Sequence, residues 1–338
     1  MCVTEAAIEP IDSRFSWRDR LQGWRVRWGI GRMRFSVRPG LYALNEPTPE
    51  SDVFVTANYK MSVDHLRRAL AGRQGWLLVL DTHGINVWCA AGKGTFGTDE
   101  LVERIIETGL TRQVSHNKLI LPQLGGVGVD AAAVGNACGF TVRYGPVRAA
   151  DLPAYLDNGY QADEAMRRVR FDLADRAALV PVEIVNAGKF ILPAMAILFV
   201  LSGLSLRGFS VATMVSQGSA AVLALGLAWL AGTVAGPLLL PWLPGRMLSL
   251  KGAMAALLLV GLFSIRILPG LTGSLDLAAF WLVVPVVASF IMMNFTGATP
   301  YTSPSGVRLE MKRSVPLQAA GAVMALLLWL AQRVVEVL

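Results

Sequence analysis

Residues 76–93, WLLVLDTHGINVWCAAGK, are the most informative part of the sequence. Its first five residues are all apolar, a pattern typical of a parallel strand that is covered on both faces. The chain then passes through polar residues and glycine, and at Cys89 it places one thiol on a short turn of small residues. Because a thiolate is a soft, strongly donating ligand for a transition metal, this turn is the first candidate site.

Strands and helices alternate on both sides of this stretch. Strands are predicted at residues 53–56, 76–80, 119–121 and 141–144, and helices at residues 62–70, 98–108, 130–137 and 150–156. Thr98 is predicted to be the N-cap of its helix, and Gly109 to end that helix. The alternation indicates a Rossmann-like α/β domain, in which ligands gather at the carboxyl ends of the strands.

The second half of the chain has a different composition. Residues 1–189 carry 23 Lys and Arg and 21 Asp and Glu, whereas residues 190–338 carry only 8 and 3. Five apolar runs, each near the ~20 residues that a spanning helix needs, lie at residues 190–206, 211–240, 253–268, 275–293 and 317–335. We therefore expect an all-α transmembrane domain of five helices. The second run is expected to kink at its glycines and prolines without splitting in two.

The basic residues beside these runs predict the orientation. One set would face the cytoplasm, namely Lys189, Arg246, Lys251, Arg308, Lys312 and Arg313, and a smaller set would face outward, namely Arg207, Arg266 and Arg333. The first twenty residues lack the apolar core of a signal peptide. Both observations favour a multi-pass protein of the cytoplasmic membrane whose amino-terminal half lies in the cytoplasm.

Four parts of the chain are expected. Residues 1–50 form a basic, aromatic segment, residues 51–160 the α/β domain, residues 161–189 a connector with an amphipathic helix over 161–179, and residues 190–338 the transmembrane domain. In the first part, eight arginines between positions 14 and 38 interleave with Trp17, Trp24, Trp28 and Phe35. This pattern suits an anionic lipid surface or a docking face, or is simply a solvated basic segment. No nucleic-acid motif accompanies it, and the net charge of +7 is explained by membrane topology.

Three other motifs compete at the candidate turn. Residues 92–97, GKGTFG, have the GxGxxG spacing of a dinucleotide fingerprint, but they lie too far beyond the strand that they should follow directly. A P-loop would need a glycine where Val87 stands. Residues 81–86, DTHGIN, come near DxHxxG, the signature of the methionine-synthase class of corrinoid domains, although Asn86 replaces the last glycine. His83 therefore stays an alternative metal ligand.

Residues 86–93, NVWCAAGK, closely resemble the cap-helix motif of the HgcA family, the mercury-methylating corrinoid proteins. Further stretches that resemble segments of this family lie at residues 39–44, 55–60, 116–124 and 294–306. The segment around Thr56 is also similar to one in the corrinoid iron-sulfur protein of anaerobic carbon metabolism. A corrinoid-binding α/β domain followed by five spans is the layout that the resemblance implies.

The resemblance also implies an activity. Cys89 would be the lower axial ligand of cobalt in a corrinoid (cobalamin), and the enzyme would pass a methyl group from methylcobalamin to Hg(II), which gives methylmercury. A thiolate pushes electron density towards the metal, as it does in thiolate-ligated haem, and so favours this transfer. Implied partners are the ferredoxin-like protein HgcB with two [4Fe-4S] clusters as electron donor, and a methyl donor such as a methyltetrahydrofolate-dependent methyltransferase system.

The cofactor is expected to contact the motif and the strand ends around it. The candidate residues are Thr56, Asn58, Thr82, His83, Asn86, Val87, Trp88, Ala90, Ala91, Gly92, Lys93, Gly125 and Gly126. Small residues would let the backbone approach a planar ring, Asn86 would fix the turn, and Lys93 would add a positive charge one helical turn after Cys89. The polar residues at the strand ends could equally be ordinary caps, and the glycines could simply form a turn.

Two other functions stay open. The chain could be a corrinoid methyl carrier that serves carbon metabolism, or a transporter whose soluble half senses a ligand. The spans contain few ionisable residues that could form a transport path, which disfavours the transporter.

Overall fold

The computed structural model describes residues 8–205, 208–267 and 273–335. Arg207 and the side chain of Arg266, both used for the predicted orientation, lie outside this description, as does the last residue of the third predicted span. The chain divides into two compact units. The first holds the described residues up to Val26 together with Ile30–Val169, and the second holds Arg27–Gly29 and the described residues from Arg170 onward.

The first unit is built on a six-stranded mixed sheet. Its strands are β1 (Glu9–Ile11), β2 (Gly40–Leu44), β3 (Val53–Ala57), β4 (Gly75–Leu80), β5 (Lys118–Leu121) and β6 (Thr141–Tyr144). Their order across the sheet is β1-β2-β4-β3-β5-β6. Strands β3 to β6 run parallel, whereas β2 is antiparallel to β4. The parallel α/β sheet expected from the sequence is confirmed.

Helices cover both faces of the sheet. They are α1 (Trp17–Arg27), α2 (Lys60–Ala69), α3 (Val87–Lys93), α4 (Thr98–Glu107), α5 (Ala131–Cys138), α6 (Leu152–Asp157) and α7 (Glu164–Arg167). Helices α3, α4 and α5 pack in one core with Val55 and Leu78, and α2 and α6 pack in the other with Phe54 and Leu77. Each fully buried side chain of this size contributes about 1.5–3 kcal/mol, so the alternating strand residues stabilise both layers.

Several local predictions need correction. The N-cap of α4 is Gly97 and not Thr98, because the Thr98 hydroxyl instead accepts a hydrogen bond from the Asp130 amide at 2.9 Å. The helix predicted over residues 161–179 is wrong, since α7 ends at Arg167 and a new helix begins after Asp172, whose carboxylate caps it. Strands β1 and β2 were not predicted.

An ion-pair network joins α1 to α2. Asp19 contacts Lys60 at 3.2 Å and Arg67 at 2.9 Å, and Asp64 contacts the same two cations at 2.8 and 2.9 Å. Burial raises the pKa of Asp19, but hydrogen bonds from Ser16, Lys60 and Arg67 outweigh it and hold that pKa well below its usual value. The Asp19 carboxylate therefore keeps its charge and its partners in moderately acidic solution.

The second unit is helical. It contains α8 (Leu173–Leu201), a two-stranded hairpin of β7 (Leu204–Ser205) and β8 (Gly208–Phe209), α9 (Val211–Leu230), a π-helical turn (Ala231–Ala235), α10 (Gly236–Leu239), α11 (Leu248–Ile267), α12 (Ser274–Asn294) and α13 (Pro304–Val335). The run from α9 to α10 is continuous, as predicted. Its π-turn contains Gly232, where a Cβ would come within 2.7 Å of the Ile291 side chain.

Four helices among the described residues are long and apolar enough to cross a membrane, namely Leu173–Leu201, Val211–Leu239, Ser274–Gly297 and Ser305–Val335. They correspond to the first, second, fourth and fifth predicted spans. The third falls on α11, in which the residues with described side chains, Leu248–Phe263, form a shorter apolar helix. A fifth spanning helix therefore stays a prediction.

Buried polar groups connect the helices of this unit. Arg333 pairs with Asp276 at 2.7 Å and so joins the end of α13 to the start of α12. The Lys251 ammonium donates to the carbonyl oxygens of Leu240 and Leu243 at 2.6 and 2.7 Å. Because such contacts replace the water that these groups lose, they fix how neighbouring helices pair in an apolar surrounding.

Candidate functional site

The sheet has a topological switch point between β3 and β5. The chain passes from β3 through α2 to β4 on one side, and then crosses back through α3 and α4 to β5 on the other side. At the carboxyl ends of β3 and β5 lies a cavity of about 310 Å³. Ligands of open α/β sheets bind at this kind of position, because the two crossovers leave a crevice there.

The cavity is lined by residues from five segments of the first unit. Thr56 is the second-last residue of β3, Leu121 ends β5, and Asn86, Val87 and Trp88 come from the start of α3. Ser62 and His65 line it from α2, and Pro146 and Val147 from the loop after β6. Four of the predicted cofactor-binding residues, Thr56, Asn86, Val87 and Trp88, are thus brought together at one cavity.

A buried network holds the loop between β4 and α3. The Asn58 side-chain oxygen accepts hydrogen bonds from the Thr82 amide at 3.2 Å and the Gly84 amide at 2.9 Å. The Thr82 hydroxyl lies 2.8 Å from the same oxygen and 2.7 Å from the Ile85 carbonyl oxygen. Asn58 and Thr82 are buried, and their polar atoms are used within the protein. They therefore position the loop, as strand-end caps do, and their predicted cofactor contacts stay predictions.

Asn86 fixes the start of α3. Its side-chain oxygen accepts a hydrogen bond from the Cys89 amide at 3.0 Å, and Gly94, with φ +83°, ends the helix. This is the N-cap arrangement that the sequence suggests for Asn86. The thiol of Cys89 is free and exposed, and Trp88 beside it is 43% exposed. Cys89 directly follows the three residues of this turn that line the cavity and is not itself one of the lining residues.

The small residues of the motif divide between two environments. Ala90 and Ala91 are buried, and their methyl groups pack in the core. Gly92 and Lys93 are exposed, and a Cβ on Gly92 would meet open space. Lys93 follows Cys89 by four residues, so the two side chains share one face of α3.

The glycines after β5 allow close packing against α3. They lie in and beside a short 3₁₀ helix, Gln123–Val127. A Cβ on Gly125 would lie 2.6 Å from the Phe96 ring, and one on Gly128 would lie 2.1 Å from the Phe96 carbonyl oxygen and 3.2 Å from the Ala91 Cα. Gly126 borders the Tyr144 ring, where a Cβ would lie 3.4 Å away. The close approach therefore serves the protein's own packing.

Tyr144 stabilises the same region. Its hydroxyl donates to the Val129 carbonyl oxygen at 2.6 Å. Burial raises the pKa of Tyr144, and the negative charge of Asp130 acts in the same direction. The hydroxyl therefore keeps the proton that this hydrogen bond requires.

His83 lies apart from the cavity wall. Its backbone has φ +59°, its amide donates to the Asp81 carboxylate at 3.0 Å, and its side chain is 73% exposed. Glu100 of α4 was not predicted to contribute to this region, but its carboxylate accepts a hydrogen bond from the Asp81 amide at 2.7 Å. The signal for it was present, since Glu100 stands in the first turn of a predicted helix that follows the loop.

Comparison with known proteins locates the similarity in the first unit. Residues 31–154, which contain β2 to β6 and the cavity, match the family described as CO dehydrogenase/acetyl-CoA synthase delta subunit. The gamma subunit of the acetyl-CoA decarbonylase/synthase complex of Archaeoglobus fulgidus is 31% identical over 135 residues, which is 39% of this chain and 28% of the relative. The corresponding subunit of Methanopyrus kandleri is 32% identical over 123 residues, or 36% of this chain and 26% of the relative.

The chain spans less than a third of the length of these relatives. The similarity accordingly concerns the sheet and its switch-point cavity. The family match ends at residue 154, before the first of the long apolar helices begins at Leu173.

Proposed function

We propose that the first unit binds a corrinoid with Cys89 as the axial cobalt ligand, and that the chain transfers a methyl group from this cofactor to Hg(II). The similarity to subunits of the acetyl-CoA decarbonylase/synthase complex supports the general part, a corrinoid-binding methyl carrier. The HgcA-like motif at residues 86–93 supports the specific part. The observation that carries the proposal is that exposed Cys89 stands on a capped turn whose first residues, Asn86, Val87 and Trp88, line the switch-point cavity.

The residues around the cavity fit a large, flat, amide-bearing cofactor. The exposed thiol supplies a soft donor, and the open space at Gly92 leaves room for a ring to approach the backbone. Trp88 adds an exposed aromatic surface, and Thr56 offers a hydroxyl inside the cavity. When bound, the corrinoid supplies a cobalt centre that can accept and release a methyl group.

The residues of this chain would contribute orientation and charge. Asn86 holds the Cys89 amide and so fixes the backbone that carries the thiol. Asn58 and Thr82 keep the preceding loop in place, which limits the reorganisation that binding requires. A sulfur ligand from Cys89 would supply electron density to the cobalt that it holds, and this would favour transfer to an electron-poor acceptor such as Hg(II). Lys93 places a positive charge on the same helical face.

The long apolar helices would anchor this unit to the cytoplasmic membrane, with the corrinoid site in the cytoplasm. An electron donor is then needed to return the metal to its reduced state, and the HgcA resemblance points to HgcB. The methyl group would come from a methyltetrahydrofolate-dependent system.

A second candidate is a corrinoid methyl carrier for carbon metabolism. It is favoured by the similarity to the acetyl-CoA decarbonylase/synthase subunits. The two candidates differ in the acceptor, so methyl transfer to Hg(II) and to a carbon acceptor should be measured side by side with the same preparation.

The test is replacement of Cys89 by Ala in the full chain, with Cys138→Ala as the matched control. We expect Cys89→Ala to lower methylmercury formation at least 100-fold while the protein still enters membranes, because the turn loses its thiol but not its cap. Cys138→Ala should retain activity, since that cysteine lies in α5. Near-normal activity of Cys89→Ala would refute the ligand assignment.

A further inference from the structure

Helix α1 presents an apolar stripe at the protein surface. Trp17, Leu21 and Trp24 are 68%, 45% and 56% exposed. Their i, i+4, i+7 spacing places them on one face of the helix. The opposite face is fixed to the first unit, because Asp19 pairs with the cations of α2 and Val26 is buried. The stripe therefore faces away from the rest of this unit.

Arginines border the stripe on both sides. At about 3.6 residues per turn, Arg18 and Arg25 stand on one side of it, and Arg20 and Arg27 stand on the other. Asp19 is the acidic residue of α1, and it lies on the opposite face, where α2 uses it. The stripe is thus bordered by positive charge, an arrangement typical of helices that lie in the interface of a membrane.

The residues just after α1 pack against the first of the long apolar helices. Gly29 belongs to the second unit, and a Cβ on it would lie 3.7 Å from the Val182 side chain and 3.9 Å from the Val185 side chain of α8. Val185 precedes Phe190, where the apolar run of this helix begins, by about 8 Å of helix. Each polar layer of a bilayer is about 5–8 Å thick, so Gly29 is held near the level of the lipid head groups.

These observations favour a lipid surface as the occupant of the stripe. Four helices among the described residues are long and apolar enough to cross a membrane, so the same chain brings a bilayer within reach of α1. A tryptophan side chain suits the membrane–water boundary because it combines an apolar ring with an N–H group, and arginines attract anionic head groups. An acidic protein would complement the arginines as well, and lipid composition separates these two occupants.

We propose that α1 lies on the membrane surface, with Trp17, Leu21 and Trp24 inserted among anionic phospholipids. The flanking arginines contact the lipid head groups. The first unit is then held to the bilayer by α1 as well as by the polypeptide that leads into α8. Docking of α1 requires that the long helices lie in a membrane, but it does not require the corrinoid.

The test is hydrogen exchange of the full chain in lipid nanodiscs, followed in the peptides that contain α1. Nanodiscs of phosphatidylcholine alone are compared with nanodiscs that also contain phosphatidylglycerol. We expect the α1 amides to exchange about tenfold more slowly in the anionic nanodiscs, because the helix must leave the lipid surface before it opens. Salt at about 1 M should remove this difference, since it shortens the Debye length to about 3 Å. Exchange in α4 should be the same in both lipids.

Two double variants separate the apolar stripe from its charged border. Trp17→Ser with Trp24→Ser should reduce the tenfold difference to about twofold, because the helix then has little to insert. Ile106→Ser is the matched control, since it removes an exposed apolar side chain from α4, and it should leave the difference unchanged. Arg18→Gln with Arg25→Gln should also reduce the difference to about twofold, because the attraction to anionic lipid is weakened.

Equal exchange of α1 in the two kinds of nanodisc would overturn the proposal, and so would a difference that survives both double variants. In either case a protein that still enters the nanodiscs would keep its membrane location and lose only the docking of α1. Equal exchange in the two lipids together with slower exchange after addition of poly-glutamate would instead assign the stripe to an acidic protein.

Discussion

Two short helices of the first unit, α3 and α5, have the same local design and different cysteines. Each begins at a side chain that caps it, Asn86 or Asp130, and each ends at a glycine with positive φ, Gly94 or Gly139. Cys89 is the third residue of α3, and its thiol is exposed. Cys138 is the last residue of α5, and its thiol donates to the Val134 carbonyl oxygen at 3.2 Å.

The surroundings of the helix, and not the capped helix itself, therefore determine whether its cysteine is accessible. Helix α3 follows a loop that Asn58 holds, and its first residues line the switch-point cavity. Helix α5 packs through Val134 in the same core as α3 but contributes no residue to the cavity lining, and its start is tied to Thr98 of α4. A thiol at the first turn of α3 can therefore meet a ligand, whereas Cys138 is satisfied by its own helix.

The largest difference between α3 and α5 is expected in the variant Asn58→Leu. The Thr82 and Gly84 amides would lose their acceptor inside the protein, at a cost of about 3 kcal/mol. Hydrogen exchange of the α3 amides should then speed up by a factor of about 100, while exchange in α5 stays unchanged. Asn117→Leu is the control, because Asn117 is exposed and makes one bond, to the Gly139 carbonyl oxygen at 3.3 Å. Equal acceleration in both helices would contradict the positioning role of Asn58.

A smaller effect is expected from Gly128→Ala. The new Cβ would collide with the Phe96 carbonyl oxygen, and relief of this contact requires a backbone shift that costs about 2 kcal/mol. Gly139→Ala at the end of α5 meets no atom within 4 Å, so only its φ of +75° opposes the change, at about 1 kcal/mol. Urea denaturation of the two variants should rank them in this order. A smaller loss of stability in Gly128→Ala than in Gly139→Ala would show that α3 does not depend on the close approach of the backbone at Gly128.

The smallest effect is expected from removal of the caps. Asn86→Ala and Asp130→Ala each remove one side-chain acceptor at a helix start and should cost about 1 kcal/mol. Thermal denaturation should show similar losses of unfolding free energy in the two variants. The two helices would then differ in their thiols and not in their caps. A loss confined to Asp130→Ala would mean that Asn86 does not stabilise the turn.

Much of the sheet could be predicted from local sequence patterns. The apolar run before Asp81 predicted β4, and residues 141–144 were predicted with the same bounds as β6. Strands β1 and β2 were not predicted. Strand β2 pairs antiparallel with β4, more than thirty residues later in the chain, and no pattern in the neighbouring residues indicates that pairing. The break between α7 and α8 could have been predicted from the sequence, because Asp172 and Asp175 form a capping box. The apolar periodicity of residues 161–179 instead led to the prediction of one continuous helix.

The site was readable only in part. The motif at residues 86–93 indicated both the cap at Asn86 and the candidate thiol, since both depend on neighbouring residues. Asn58 and Thr82 were predicted as ligand contacts, and their mutual hydrogen bonds could not be foreseen because 24 residues separate them. The roles of Gly125 and Gly128 depend on Phe96, which only the folded chain brings near them.

The most direct test of the central claim is an absorption and electron paramagnetic resonance spectrum of the full chain after anaerobic reconstitution with cobalamin. We expect a bound corrinoid whose spectrum shows sulfur coordination to cobalt, and we expect this signal to be lost in Cys89→Ala and retained in Cys138→Ala. A protein that binds no corrinoid, or a spectrum unchanged in Cys89→Ala, would contradict the central claim.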